Sequence, residues 1–262
     1  MVAEKQRAIN AWKEQVFAAD PVRAEAWKQH DLKLHQFIKE SVPEALAHTG
    51  EVSFDEHLVG VQSVLRAFGA DEEIAKAGLF HSLYGTEGFQ GYKFPILRRP
   101  EIRNLIGARA ERMVWMFCVI DRKTFDDAVF AFEASKPNPD SLLARPEIGR
   151  FPLPLRSDEE WLDFIEMVLA DYIEQIEGAA EKANPVVGWE IGEAWGYRRT
   201  AYLKMADVLS KALGERGARI KQIVEDVYSR EPNATKHIVQ EVTPTVTEAA
   251  RDARDALKSI DL

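Results

Sequence analysis

Two histidines, His57 and His81, are the residues whose type and spacing point to chemistry, because imidazole both ligates metal ions and carries protons near neutral pH. Both fall in one stretch, SFDEHLVGVQSVLRAFGADEEIAKAGLFHSLYGTEGFQ, running from Ser53 to Gln90. Ser53 followed by Glu56 is a capping-box signature and predicts a helix that starts just before Phe54. Leu58, Val61, Val64, Leu65 and Phe68 recur at helical spacing, and Gly69 supplies the stop. Asp71 then caps a second helix, whose stripe of Ile74, Ala77, Gly78 and His81 ends on the histidine. His57 lies one turn before Val61, at the edge of the first buried face. Two histidines on two packed helices can converge on one point.

Other polar residues lie near these two in the chain. His48 precedes His57 in a predicted loop over 43–52 that can fold across the point, as a ligand, an acid/base or an ordinary loop histidine. Glu87 follows His81 closely and fits a general base or a carboxylate behind the ligands, as well as a solvated loop position. Tyr84 lies beside that loop and Thr86 on it; the loop runs from 85 to 100 with Gly85, Gly88, Gly91, Pro95 and Pro100. Arg98 and Arg99 can grip a phosphate or carboxylate by forked hydrogen bonds, although such a pair before a proline is usually surface. Trp189, Trp195, Tyr197, Arg198 and Arg199 read as packing plus surface, with a substrate wall as the alternative. His30, His35 and His237 read as solvent-exposed.

His57, followed about two dozen residues on by Leu79-Phe80-His81, resembles the HD metal-dependent phosphohydrolase superfamily, nearest its RelA/SpoT-type alarmone-hydrolase branch. The chain departs from that pattern at Ser82, where the superfamily has Asp, and at Gly85-Thr86, where an acidic pair often follows. The string from His81 to Thr86, with Asp55-Glu56-His57-Leu58 upstream and Leu105-Ile106-Gly107 and Arg109-Ala110-Glu111-Arg112 downstream, resembles an HD-like family carrying His-Ser-x-Tyr-Gly-Thr. The resemblance spans residues 45–210.

An HD-type centre takes two histidines, the Asp after the second and a later Asp. The resemblance therefore implies His57 and His81 as metal ligands. Asp121 is the best match for the later carboxylate, because Val119-Ile120-Asp121 ends an apolar helix. The alternative for Asp121 is a plain helix cap. Asp171, in Leu169-Ala170-Asp171, resembles instead a later helix whose Asp supports structure or the outer shell. Ser82 cannot act as a charged ligand, which leaves two histidines and one carboxylate. That set suits a single divalent ion, Fe or Mn foremost, with open positions. His48 or Glu87 would handle protons, and Ser82, Tyr84, Thr86 and Arg122 would line the substrate side. The first reading is hydrolysis of a phosphoester or nucleotide-like small molecule. The second is a mononuclear non-haem iron oxygenase or lyase, and the third a metal-free ligand-binding protein.

The elements that must position these residues are all helical in pattern. Residues 3–18 form an amphipathic stripe, and Asp20-Pro21 opens a second helix running through Trp27 towards Phe37-Ile38. One helix is expected from about Pro100 to Asp121, with Asp121-Arg122 ending it or opening the next. Lys136 to Arg156 contains Pro137, Pro139, Pro146, Pro152 and Pro154 and reads as an ordered surface excursion or lid. Ser157 with Glu160 marks another start, followed by an apolar stripe from Trp161 to Ile176. Asn184-Pro185 breaks the chain before a further long helix carrying Ile191, Trp195, Tyr202, Met205, Leu209 and Leu213. A helix around 220–228 and a polar tail close the sequence. With no strand-period run, the expectation is an all-α, HD-domain-like helical bundle. Its core covers about 45–210, with N-terminal helices in 1–44 and a C-terminal extension in 211–262.

The net charge of −9 argues against nucleic-acid and anionic-membrane partners, yet leaves room for an anionic small-molecule substrate in a locally positive pocket. Cys118 stands alone in an apolar run, so it reads as a core residue without an internal disulfide, which suits a reducing cytoplasm. No signal-like core or membrane-length apolar run is present, giving the expectation of a soluble intracellular chain. The acidic surface and long helices are compatible with a homodimer.

Overall fold

The computed structural model describes residues 7–41, 54–86, 94–132, 139, 142–185 and 187–241. Among them the regular elements are α-helices and short 3-10 turns, and β-type pairing is confined to isolated bridges, so the all-α expectation holds. In chain order the α-helices are α1 (Ala8–Ala19), α2 (Pro21–Ser41), α3 (Phe54–Phe68), α4 (Glu72–Phe80) and α5 (Arg99–Ile106). They continue as α6 (Ala108–Val119), α7 (Arg122–Phe130), α8 (Asp158–Ala180), α9 (Arg199–Ala212) and α10 (Gly214–Ser229).

Helix α8 is the axis. Ser157 caps it by accepting a hydrogen bond from the Glu160 amide at 3.1 Å, and Asp158, Glu159 and Glu160 place negative charge at the positive end of the helix dipole. Trp161, Phe164, Ile165, Val168, Leu169, Tyr172, Ile173 and Ile176 are all buried. Each such side chain removed from water contributes about 1.5–3 kcal/mol before conformational entropy is charged against it. The helix packs on α3, α4, α6, α9 and α10, so these five helices are gathered around it.

The α3–α4 hairpin follows the sequence pattern closely. Gly69, at φ +84°, ends α3 in the left-handed region that glycine tolerates, and Asp71 accepts hydrogen bonds from the Glu73 and Ile74 amides to start α4. Ser53 and the expected cap of α3 lie outside the described residues. The two helices touch at Gly78, where an added methyl would overlap the Leu65 side chain, so the missing side chain sets how closely α4 approaches α3. Gly60 does the same on the α8 side of α3, leaving room for the Glu174 carboxylate. Small residues at these two positions draw three helices together around His57 and His81.

Two expected helices come out differently. The single helix over 100–121 is α5 and α6, separated at Gly107 (φ +98°, ψ 157°), an extended left-handed conformation that interrupts the hydrogen-bond ladder. The helix expected after Asn184-Pro185 begins only at Arg199, and Ile191 is 67% exposed. Gly188 and Gly192 have positive φ and turn the chain, while Gly196 packs against the Ile238 backbone. Within the proline-rich segment, 142–156 is fastened to the end of α6. The Asp121 amide donates to the Leu143 carbonyl at 2.9 Å and the Arg145 amide to the Val119 carbonyl at 2.8 Å. The loop over 43–52 and the tail beyond 241 fall outside the described residues. No described helix is long and apolar enough to cross a membrane.

Candidate metal centre

His57 lies in the first turn of α3, His81 caps the C-terminus of α4, and the middle of α8 presents Asp171 to both. His57 Nε2 is 3.2 Å and His81 Nε2 is 3.3 Å from the same oxygen, Oδ1 of Asp171. One donor atom from each residue lies within 4.8 Å of the others. The two imidazole rings meet edge-on with centroids 5.1 Å apart, and the Phe117 ring closes the far side of His81 at 4.9 Å. His81 is 1% exposed, whereas the His57 and Asp171 side chains retain 20% each, so the cluster opens to solvent on one side.

The opposite ring nitrogens are already committed. His81 Nδ1 lies 2.7 Å from the Gly78 carbonyl, which can only accept, so Nδ1 carries the proton. His57 Nδ1 lies 2.7 Å from Oε2 of Glu174, one turn along α8 from Asp171, and donates to it. In its neutral form each imidazole would therefore point an unprotonated Nε2 at a carboxylate oxygen. Lone pairs facing a negative charge repel unless a cation stands between them. In the metal-free chain a proton fills that role at His57. Burial by itself would depress its pKa, but the hydrogen bonds to Asp171 and Glu174 outweigh burial and raise it to about 10. Burial likewise pushes Asp171 up, and the neighbouring His57 and His81 rings overcome it, holding this carboxyl far below the ordinary range.

The same geometry fits a metal ion. Donors bound to one ion at about 2.0–2.2 Å stand roughly 3.0–3.5 Å apart in tetrahedral or octahedral arrangements; the two His–Asp separations fall in that interval, while the three donor atoms as a set lie within the wider bound of 4.8 Å. Glu174 behind His57 and the Gly78 carbonyl behind His81 are the outer partners that fix a ligating imidazole's tautomer and orientation. Two imidazoles and one carboxylate, with solvent access, form a donor set for Fe, Mn or Zn with open positions.

The expected site residues divide accordingly. His57 and His81 converge as their spacing suggests. Asp121, expected as the carboxylate ligand, instead caps α7, accepting from the Lys123 amide at 2.9 Å and pairing with Arg150 at 3.3 Å. The carboxylate at the histidines is Asp171, the residue whose motif points to structure or the outer shell. His48 and Glu87 lie outside the described residues. Ser82 and Thr86 are buried just beyond α4. Tyr84 is turned to the core, its hydroxyl donating to buried Glu111 at 3.1 Å. Arg122 lays its guanidinium on the Phe117 ring at 4.2 Å, one ring removed from His81.

The remaining motif residues are structural. Arg99 pairs with Glu111, Arg109 with Asp71 and Asp163, and Arg112 with Glu160, so the stretch from Arg109 to Arg112 ties α6 to α4, α5 and α8. Arg98 pairs with Glu101 on the surface. Arg198 is buried against Asp126 and Tyr202, and Arg199 binds Glu231 and carbonyls near the C-terminal end, which makes that cluster packing. Cys118 is buried, its thiol donating to the His81 carbonyl at 3.1 Å, and burial pushes its pKa up to about 12. His30 and His237 are exposed as expected, whereas Nε2 of His35 is buried.

Sequence reasoning missed Glu174 altogether. The available signal was a pair of acids at i and i+3 inside an otherwise apolar stripe, which a buried helix face seldom carries without a cationic partner.

A family model described as a domain of unknown function (DUF6817) matches residues 37–122. That span includes both histidines and stops short of Asp171. No curated protein and no solved structure matches the chain.

Proposed function

We propose that the chain is a metal-dependent enzyme with a mononuclear divalent-cation centre at His57, His81 and Asp171, hydrolysing a phosphoester or nucleotide-like small molecule. The observation that carries this reading is the proton inventory. Both Nδ1 atoms are occupied by acceptors, so once the rings are neutral two Nε2 lone pairs and one carboxylate oxygen face a single point. A divalent ion there supplies a Lewis acid that acidifies water and offsets charge developing on phosphoryl oxygens. Glu174 and the Gly78 carbonyl keep the two rings aimed and electron-rich, and Asp171 offsets part of the positive charge. Ser82, in place of the superfamily's Asp, leaves three protein donors and so keeps positions free for substrate. The HD-type resemblance, with its histidines in the order His57 then His81 and an aspartate on a later helix, supports the same assignment. A single buried cysteine is in keeping with a cytoplasmic location.

A second reading follows from the donor set itself. Two histidines and one carboxylate with open positions are also the ligands of non-haem iron oxygenases. The two readings separate in one experiment. Metal-free protein is loaded anaerobically with Mn²⁺ or Fe²⁺, then assayed for phosphate release from a panel of phosphoesters and nucleotides and for oxygen uptake. Phosphate release that falls at least ~100-fold in Asp171→Ala supports hydrolysis. Oxygen uptake confined to the Fe²⁺ form transfers the assignment to the oxygenase. Absence of both, across the panel, contradicts an enzymatic role.

A further inference from the structure

A cavity of about 500 Å³ lies at the junction of α1, α2, α3 and α8, within the size range of small-molecule sites. His57, His81 and Asp171 do not line it. It sits across Glu174 from the metal centre. Oε2 of Glu174 accepts from His57, while Oε1 lies over Gly60, another lining residue. The two Glu174 oxygens thus serve the two sites as a shared wall, and an occupant of the cavity would not touch the metal.

The charge of the lining is opposite to that of the protein. Arg7, Lys13 and Lys39 face Glu56 and Glu174, three cations against two carboxylates, in a chain of net charge −9. Arg7 is partly engaged by Glu181 at 2.8 Å. Lys13 is different: it is half-buried and has no ion-pair or hydrogen-bond partner among the described residues. Burial pushes its ammonium pKa down, as expected of a cation lacking a counter-charge at contact distance. His35 adds a second unmet group, since its Nε2 is buried without a hydrogen-bond partner among the described residues. An ammonium, a guanidinium and an imidazole around one concave space are the donors that recognise phosphate or carboxylate oxygens.

We propose that this cavity binds a small anionic molecule, whose phosphate or carboxylate group contacts Lys13 and His35. The site is separate from the metal centre. It is tested on metal-free protein, where chelation cannot contribute, by calorimetric titration with inorganic pyrophosphate and, separately, citrate.

The expected result is 1:1 binding of at least one probe, weakened about tenfold or more in Lys13→Ala and within a few-fold of wild type in Lys13→Arg. Preference for pyrophosphate identifies a phosphate ligand, and preference for citrate a carboxylate ligand. His81→Ala, which removes a proposed metal ligand, should leave probe affinity unchanged, so failure of the metal reading and failure of this one are distinguishable. Far-UV circular dichroism checks each variant's fold, and His35→Gln provides a second weakened variant should Lys13→Ala not fold. No 1:1 binding of either probe up to millimolar concentration, or equal affinity in wild type and the weakened variants, overturns the proposal.

Discussion

Nε2 of His57 stands 3.2 Å from Oδ1 of Asp171, while the other nitrogen of the same ring is held by Glu174 at 2.7 Å. An imidazole clamped between two carboxylates favours its protonated form, which is why the His57 pKa rises to about 10 in the metal-free chain. A metal ion entering the centre must displace that proton. Loading with Mn²⁺ or Zn²⁺ in weakly buffered solution at pH 8 should therefore release about one proton per ion. Apparent affinity should rise by about tenfold per pH unit through the neutral to mildly alkaline range. A pH indicator reads the release directly, and His57→Ala should abolish it.

The same shift has a stability consequence whose sign is fixed by linkage. A group whose pKa is higher in the folded state stabilises most fully below its unfolded value of 6.5, and that contribution is lost as pH rises through about 10. Denaturant unfolding of metal-free wild type and His57→Gln should show the largest gap near pH 6, narrowing steadily towards pH 10. A gap that widens with pH would contradict the clamp.

Glu174 touches no proposed ligand atom directly, yet it sets the tautomer and basicity of His57. Glu174→Gln keeps the size and an acceptor oxygen but removes the charge. Metal affinity should fall about 10–100-fold, with the fold intact by circular dichroism. Competition against a metallochromic indicator measures it.

Asp121 is assigned a structural role, as the cap of α7. Asp121→Ala should lower stability by about 0.5–2 kcal/mol in urea unfolding while leaving metal affinity unchanged.

Glu166 offers a separate pH test away from the centre. It is fully buried beneath Arg216, and burial raises its pKa to about 7 against the partial relief that Arg216 provides. For an acid whose pKa is higher in the folded state, the fold holds the proton more tightly, so stability falls as pH climbs from 4.5 to 7. Glu166→Gln cannot ionise. Relative to wild type it should therefore gain stability over that interval, as measured by thermal unfolding at pH 5 and pH 8.

What could be read from the sequence was mostly local. The α3–α4 hairpin, the Ser157 cap and the stripe of α8 depend on spacing and capping chemistry within a few residues, and they appear in the structure where the pattern places them. The pairing of His57 with His81 was legible for the same reason, since a short turn at Gly69 forces two adjacent helices together. Which carboxylate joins them was not. Asp121 and Asp171 both follow apolar helical runs, and only the crossing of α8 over the hairpin, set by Gly60 and by burial along α8, decides between them. Gly107 and the glycines at 188 and 192 break helices that apolar periodicity alone would continue, because a positive φ leaves no mark on that periodicity.

The central claim is that Asp171, with His57 and His81, holds one metal ion. It is tested most directly by elemental analysis of wild type, Asp171→Ala and Asp121→Ala, each loaded with Mn²⁺ or Fe²⁺ under anaerobic conditions and then desalted. The account predicts about one ion per chain in wild type and in Asp121→Ala, and none in Asp171→Ala. Retention in Asp171→Ala with loss in Asp121→Ala, or no retained ion in wild type, would contradict it.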